Sequence, residues 1–518
     1  MDDDGRKKCG EESPICGECA RLNLPCIPRN SAKATSDVPE ASNEKSLPPA
    51  ATHESPEVIK ADTTPNSTDD AASSGRTDDQ VSLEFTDWVA LIDGEASSGL
   101  RERAHLGHSS ALKVLPEARA SDEDPAPVGT VPPVTLDYFS DFTTEALKDW
   151  TVGEKHLLNH YLQVVSRALV VVPDDVNPFL RVLIPMAFES TTVRHALIAL
   201  SACHLYKVYP DFQRNLLFHR SMTLQGLKSD LDDPGSGPYS LAATLLLCLL
   251  EICDGTSRNW ILHLHGAKAL LANSPNHDPD VRSEFFTDLY DYLCCITAIT
   301  SHRVPVRRSP RCISRESAHG KRGRTSIHPL YGVGEDIYRL ITQINEWIRG
   351  YVALGSAAAM DESLKHNALE LDQRLRRWTL NDDCIFDKEL RELSAAADAL
   401  RWAAVMRLSQ ATRRNPVPEA PTTLEVDKIL SAMSQIRPGS HVETQLVFPL
   451  FMAGASSPDK ASRLTVEYRL NVIECTKGFG NIVCAHKLLD EVWARANERQ
   501  AVHWEVVMHQ QFPDLVLL

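Results

Sequence analysis

The sequence predicts an all-α protein, and three observations carry that expectation. Apolar residues recur at helical offsets from about Asp137 to the end, alternation with a period of two is hardly seen, and start and stop signals bracket stretches of ordinary helix length. Leu157, Leu158, Tyr161, Leu162, Val165 and Leu169 form the first stripe, which stops before Pro173. Val193, Leu197, Leu200 and His204 repeat the offsets after the start signal Ser190-Thr191-Thr192. Leu217, Leu224, Leu227 and Leu231 form the next stripe, ended by Asp232-Asp233-Pro234-Gly235. Leu241 to Cys253 is apolar nearly all round, which predicts a helix buried on every side. Trp260 to Leu271, Ile337 to Tyr351, Leu390 to Ser409, Val426 to Ile436, Arg463 to Thr476 and Ile482 to Arg495 continue the series. No fixed-period repeat is evident, so residues 136–518 are expected to form one large multi-helix domain around an extended core.

Composition narrows the function. At 518 residues and 43% hydrophobic the chain can bury a sizeable core, and its net charge of -16 argues against a diffuse positive field that would hold all of it on nucleic acid. The longest strongly apolar stretch, Leu241 to Leu250, is stopped by Glu251, short of the roughly 20 residues a membrane helix needs, so no membrane span is expected. Met1-Asp2-Asp3-Asp4 resembles neither a secretory signal nor a mitochondrial presequence, which points to a nuclear or cytosolic address.

Residues 31–135 hold 19 Asp and Glu against 8 Lys and Arg among many Ser, Thr and Pro, so residues 30–135 are expected to form a disordered acidic linker. Inside it, residues 83–93 (Leu83-Glu84-Phe85-Thr86-Asp87-Trp88-Val89-Ala90-Leu91-Ile92-Asp93) mix acids with large apolar side chains. The mixture has the composition of an activation segment. Phe85, Trp88 and Ile92 also lie at helical spacing, and a short helix packed on the main domain is an equal reading.

Nine of the 13 cysteines are scattered between Cys203 and Cys484 and read as small buried hydrophobes in a reducing compartment. The other four, Cys9, Cys16, Cys19 and Cys26, are separated by six, two and six residues. Thiolates draw zinc into a tetrahedral site, and a two-residue gap lets two cysteines grip one ion from a tight turn. A redox dithiol at Cys16-Gly17-Glu18-Cys19 is the competing reading, and it lacks the strand–helix setting that such motifs use.

The run from Lys8 to Cys26 resembles the fungal binuclear zinc cluster, in which C-x2-C-x6-C, a proline-containing loop and a second C-x2-C-x6-C hold two zinc ions. Cys9 matches the third cysteine of that pattern, and Cys16, Cys19 and Cys26 match the last three, with Pro14 in the loop. Counting seven back from Cys9 reaches Asp2 where the second cysteine would stand, so residues 1–29 are expected to be a partial zinc-cluster module. By resemblance, Arg6, Lys7 and Lys8 occupy the positions that contact phosphate and guanine edges. Residues 1–29 nevertheless carry six acids against five bases, a poor balance for a polyanion, and DNA readout is expected to be weak without a complete cluster.

Pieces spread over 137–518 are similar to the fungal-specific transcription factor domain that usually follows such a cluster. They include Leu245 to Ile252 with Asp254-Gly255, Trp260, His263-Leu264, Gly266-Ala267, Phe448 to Phe451, Gly480-Asn481 and Glu491-Val492-Trp493. The resemblance implies a nuclear, zinc-dependent, sequence-specific DNA-binding regulator of RNA polymerase II genes. It acts on CGG-type half-sites, with homodimerisation and co-regulator contacts through the helical domain. The alternative is a regulator without DNA binding that works through protein contacts alone. Sensing a metabolite, masking the activation segment and dimerising are all open roles for the helical domain. No catalytic motif is found, so an enzyme is not expected. His263 and His265 read as core residues. Eight bases against one acid from Arg303 to Arg324 read either as a localisation signal or as a solvated loop.

Overall fold

Several helices begin where the sequence offers a side chain to the free backbone N–H groups of the first turn, as Thr151, Ser190, Asp361 and Asp459 do. The computed structural model describes residues 87–92, 147–231, 233, 236–273, 281–305, 327–355, 361–379, 388–412, 423–457, 459–498 and 503–518. All of these belong to one unit, Ala72–Leu518. Cys9, Cys16, Cys19, Cys26, Arg6, Lys7, Lys8, most of the linker and Arg307 to Arg324 lie outside the described residues.

Among the described residues the regular structure is helical, apart from an isolated bridge between His328 and Gly332. A short helix α1 (87–92) comes first. Helix α2 (Val152–His160) starts in a capping box, in which Thr151 Oγ1 accepts from Glu154 N while Glu154 Oε2 accepts from Thr151 N at 2.8 Å. It runs on through a π turn (Tyr161–Val165) and Ser166–Ala168, covering the first predicted stripe. Short α3 (Pro178–Arg181) and α4 (Leu183–Glu189) lead into α5 (Thr191–Tyr206), capped by Ser190 as expected, and α6 (Gln213–Asp230). The α6 stripe is Leu216, Leu224 and Leu227; Leu217, expected inside, is 49% exposed.

Helix α7 (Gly237–Asp254) is the centre of the core. By length and composition it could span a bilayer, yet 78% of it is buried within the protein, against α5, α6 and α8 (Trp260–Asn273). Glu251, expected to interrupt the apolar run, lies inside the helix and is offset by Arg220, whose Nη2 stands 2.7 Å away. The second half of the domain follows as α9 (Val281–Thr297), α10 (Glu335–Leu354), α11 (Glu362–Arg377), α12 (Lys388–Thr412) and α13 (Thr423–Ser434). It ends with α14 (Val447–Ser456), α15 (Lys460–Lys477), α16 (Gly480–Asn497) and α17 (Trp504–Gln511).

The two halves meet through glycine. Gly255 ends α7 in the left-handed region (φ 78°), and a β-carbon on it would stand 2.6 Å from Asn481 N. One on Gly480 would stand 2.2 Å from Asp254 O. Two backbones therefore touch where side chains would hold them apart. Asp254-Gly255 and Gly480-Asn481, separate pieces of the family resemblance, are neighbours in space. Deep in the second half, Glu443 and Arg469 form a buried ion pair at 2.9 Å, with side chains 0% and 7% exposed. Of the nine scattered cysteines, Cys203, Cys248, Cys253 and Cys295 are buried as expected, Cys294 and Cys484 are half-buried, Cys475 is exposed on α15, and Cys312 and Cys384 lie outside the described residues.

Candidate functional site

The site is built where α1 meets α8. On α1, Trp88 and Ile92 are four residues apart and so share one face; both are buried, while Asp87 and Ala90 face solvent. Of the two readings of residues 83–93, the packed helix describes what residues 87–92 adopt here. Burying an indole fully removes about 150–250 Å² from water, roughly 4–6 kcal/mol at the usual coefficient and an upper bound on what docking gains.

Helix α8 provides the seat. Gly266 leaves room for the indole: a β-carbon there would lie 2.3 Å from Trp88 Cε2. One turn earlier, His263 is fully buried, and its Nδ1 accepts from Trp88 Nε1 at 3.4 Å. Burial first, and the Arg220 charge second, push the His263 imidazole down to about 3, so the ring is neutral near pH 7 and its Nδ1 is free to accept. Its Nε2 is buried without a hydrogen-bond partner among the described residues. His265 pairs through Nε2 with the Arg303 carbonyl at 3.1 Å. Both histidines are therefore core residues, as the sequence suggested, but His263 has a specific task in receiving Trp88.

The seat is rigid. Trp260 Nε1 donates to the Asp514 carbonyl at 3.2 Å, and Asp514 Oδ1 accepts from Ser301 Oγ at 2.9 Å. The far end of the chain thus braces the first turn of α8.

A second cluster of functional side chains lies away from this seat, where Glu154, His195 and His219 offer ligand atoms within 4.8 Å of one another. No local motif announces it, because the three residues come from α2, α5 and α6. The sequence-predicted metal ligands Cys9, Cys16, Cys19 and Cys26, and the bases Arg6, Lys7 and Lys8, lie outside the described residues.

Residues 156–518 match the family model of the fungal specific transcription factor domain. The chain belongs to this family. The α-helical domain described above is the family domain. Transcriptional activator protein UGA3 of Saccharomyces cerevisiae is 24% identical over 285 residues, covering 53% of this chain and 44% of that protein. The chain therefore spans less than half the length of that relative. No solved structure matches the chain.

Proposed function

We propose that the chain is a zinc-dependent, sequence-specific DNA-binding regulator of RNA polymerase II genes, acting in the nucleus. In this reading residues 1–29 are a partial zinc-cluster module, 30–135 an acidic linker carrying an activation segment, and 136–518 the regulatory domain. The observation that carries it is the presence, in one chain, of the Cys9, Cys16, Cys19, Cys26 array and a domain of the fungal transcription factor family. Four thiolates, two of them two residues apart, suit the tetrahedral soft-ligand preference of zinc. Bound there, zinc would fix the loop and leave Arg6, Lys7 and Lys8 directly beside the ordered site, placed for phosphate and guanine contacts on CGG-type half-sites. The relative's printed description, a transcriptional activator, supports action at promoters. Homodimers and co-regulators would be engaged through the helical domain.

Masking of the activation segment is the role of the helical domain that the site supports best. Trp88 and Ile92, two of the large apolar residues of the acidic-hydrophobic mixture, are the side chains buried on α1. A segment held in this way cannot offer the same side chains to a co-regulator.

The test is a mobility-shift titration of the full chain on CGG-containing and scrambled duplexes at fixed salt with zinc supplied, for wild type and Cys16→Ser. The expected result is a weak preference for CGG in the wild type that Cys16→Ser abolishes, together with loss of the cluster's zinc from the variant. Equal zinc content in both would overturn the assignment of Cys16. A wild type indifferent to sequence would favour a regulator acting through protein contacts alone, a reading helped by the six acids against five bases of residues 1–29.

A further inference from the structure

We infer that Glu154, His195 and His219 form a second divalent metal site, suited to zinc, that staples the first turn of α2 to α5 and α6. His195 and His219 turn their Nδ1 atoms toward each other at 2.9 Å, with ring centroids 5.1 Å apart. Between two such nitrogens only one hydrogen fits, so at least one presents a lone pair to the gap, and a cation there replaces the shared hydrogen and leaves each ring its Nε2–H. Two nitrogens 2.9 Å apart and each about 2.0–2.1 Å from an ion subtend roughly a right angle, a geometry of five- or six-coordinate sites and within reach of zinc.

The third ligand is Glu154. Its Oε2 is already aimed by the Thr151 backbone N–H at 2.8 Å and the Thr151 hydroxyl at 2.9 Å. These two bonds orient the carboxylate as hydrogen bonds behind a metal ligand do. The carboxylate belongs to a buried residue, 8% exposed, and no Lys or Arg among the described residues forms an ion pair with it. A capping box alone requires neither that burial nor two imidazoles beside it. His219 is likewise buried at 4%, whereas His195 is partly exposed and provides the entry path.

Three ligands, His, His and Glu, form a recognised zinc set that leaves further positions for water. The ligands come from separate helices, so the ion would gain its affinity from the folded state and return it as stability. The consequence is a domain whose first long helix is tied down in proportion to the metal supply.

The experiment uses the full chain with Cys9, Cys16, Cys19 and Cys26 all replaced by Ser, which separates this site from any thiolate site. The metal-free protein is titrated with Zn²⁺ and, in parallel, with Co²⁺. Expected are about one equivalent of zinc retained through gel filtration, a rise in melting temperature on adding zinc, and a cobalt spectrum without thiolate charge-transfer bands. His195→Ala and Glu154→Gln, each checked for unchanged helicity, should each abolish zinc retention and the temperature rise. His195 is the part-exposed ligand, so its loss tests the site even if a His219 variant fails to fold. Zinc retention that is absent from the Ser-substituted chain, or present and indifferent to His195→Ala, would overturn the assignment. Neither result bears on whether Cys16 holds zinc.

Discussion

The indole of Trp88 occupies the space of a side chain that Gly266 does not have, and its Nε1–H is directed to His263 one turn away. The seat is thus defined by a missing β-carbon and a neutral imidazole, and each can be altered independently.

Trp88→Ala is expected to cost about 3–5 kcal/mol of docking, the usual range for truncating a large core side chain. Gly266→Leu should expel the same indole by filling its space. Both changes should raise amide exchange in α1 and raise transcription from a reporter. Faster exchange with unchanged transcription would leave Trp88 a packing residue and remove the masking role.

Acid should open the seat. Burial holds the His263 imidazole at about 3 against an ordinary value near 6.5, so its contribution is fully present above about pH 6.5 and is lost as pH falls toward 3. From pH 7 to 5 the loss amounts to about 2 kcal/mol for this one residue. His160, pushed down to about 4 by burial and by His204, acts in the same direction. Denaturant unfolding at the two pH values should show a smaller difference in His263→Gln than in the wild type; an equal difference would assign the pH dependence elsewhere.

Gly480→Ala is expected to destabilise the domain by more than about 2 kcal/mol, because its β-carbon would meet the Asp254 carbonyl, which is backbone and cannot swing aside. Gly350 is the control. Its β-carbon would meet nothing within 4 Å on α10, so Gly350→Ala should stabilise by about 0.5–1 kcal/mol. Melting of the two variants beside wild type checks the opposite signs.

The Glu443 and Arg469 pair predicts a strong asymmetry between single and double changes. Arg469→Ala leaves Glu443 buried and unpaired and should cost about 3–5 kcal/mol, whereas Arg469→Met combined with Glu443→Leu should cost far less. A double variant as unstable as the single one would mean that the hydrogen bond from Arg469 Nη1 to the Ile436 carbonyl, 2.8 Å long, carries the stability instead.

Much of the fold was legible because its helices carry one-sided stripes. Val193 to His204 and Ile337 to Tyr351 fall inside α5 and α10 with little error at either end. Two helices are harder to read from the sequence. Helix α14 is apolar on all sides and carries Pro449 in its first turn, while α11 buries only Ala368, Leu371 and Leu375. The spacing of Leu217 to Leu224 fits a stripe, but Leu216 takes the core position and carries the face round through His219 and Thr223. The site was legible only in pieces. Trp88 at helical spacing suggested a packed helix, yet nothing local links it to Gly266 or His263, some 175 residues away. The Glu154, His195 and His219 cluster is likewise a product of three helices meeting, and no spacing rule along the chain could have gathered it.

The burial of α7 also sets an order of events during synthesis. Its apolar surface is covered by α5 and α6, already made when it leaves the ribosome, but its C-terminal end is closed only when Gly480 and Asn481 arrive. At ordinary translation rates that interval is on the order of ten to forty seconds. Throughout it the nascent chain displays a segment with the hydropathy of a membrane span and no completed cover. Newborn chains halted between the two points are therefore natural clients for chaperones that bind exposed apolar helices, and messages truncated before the codon for Gly480 should yield protein that is cleared rather than folded.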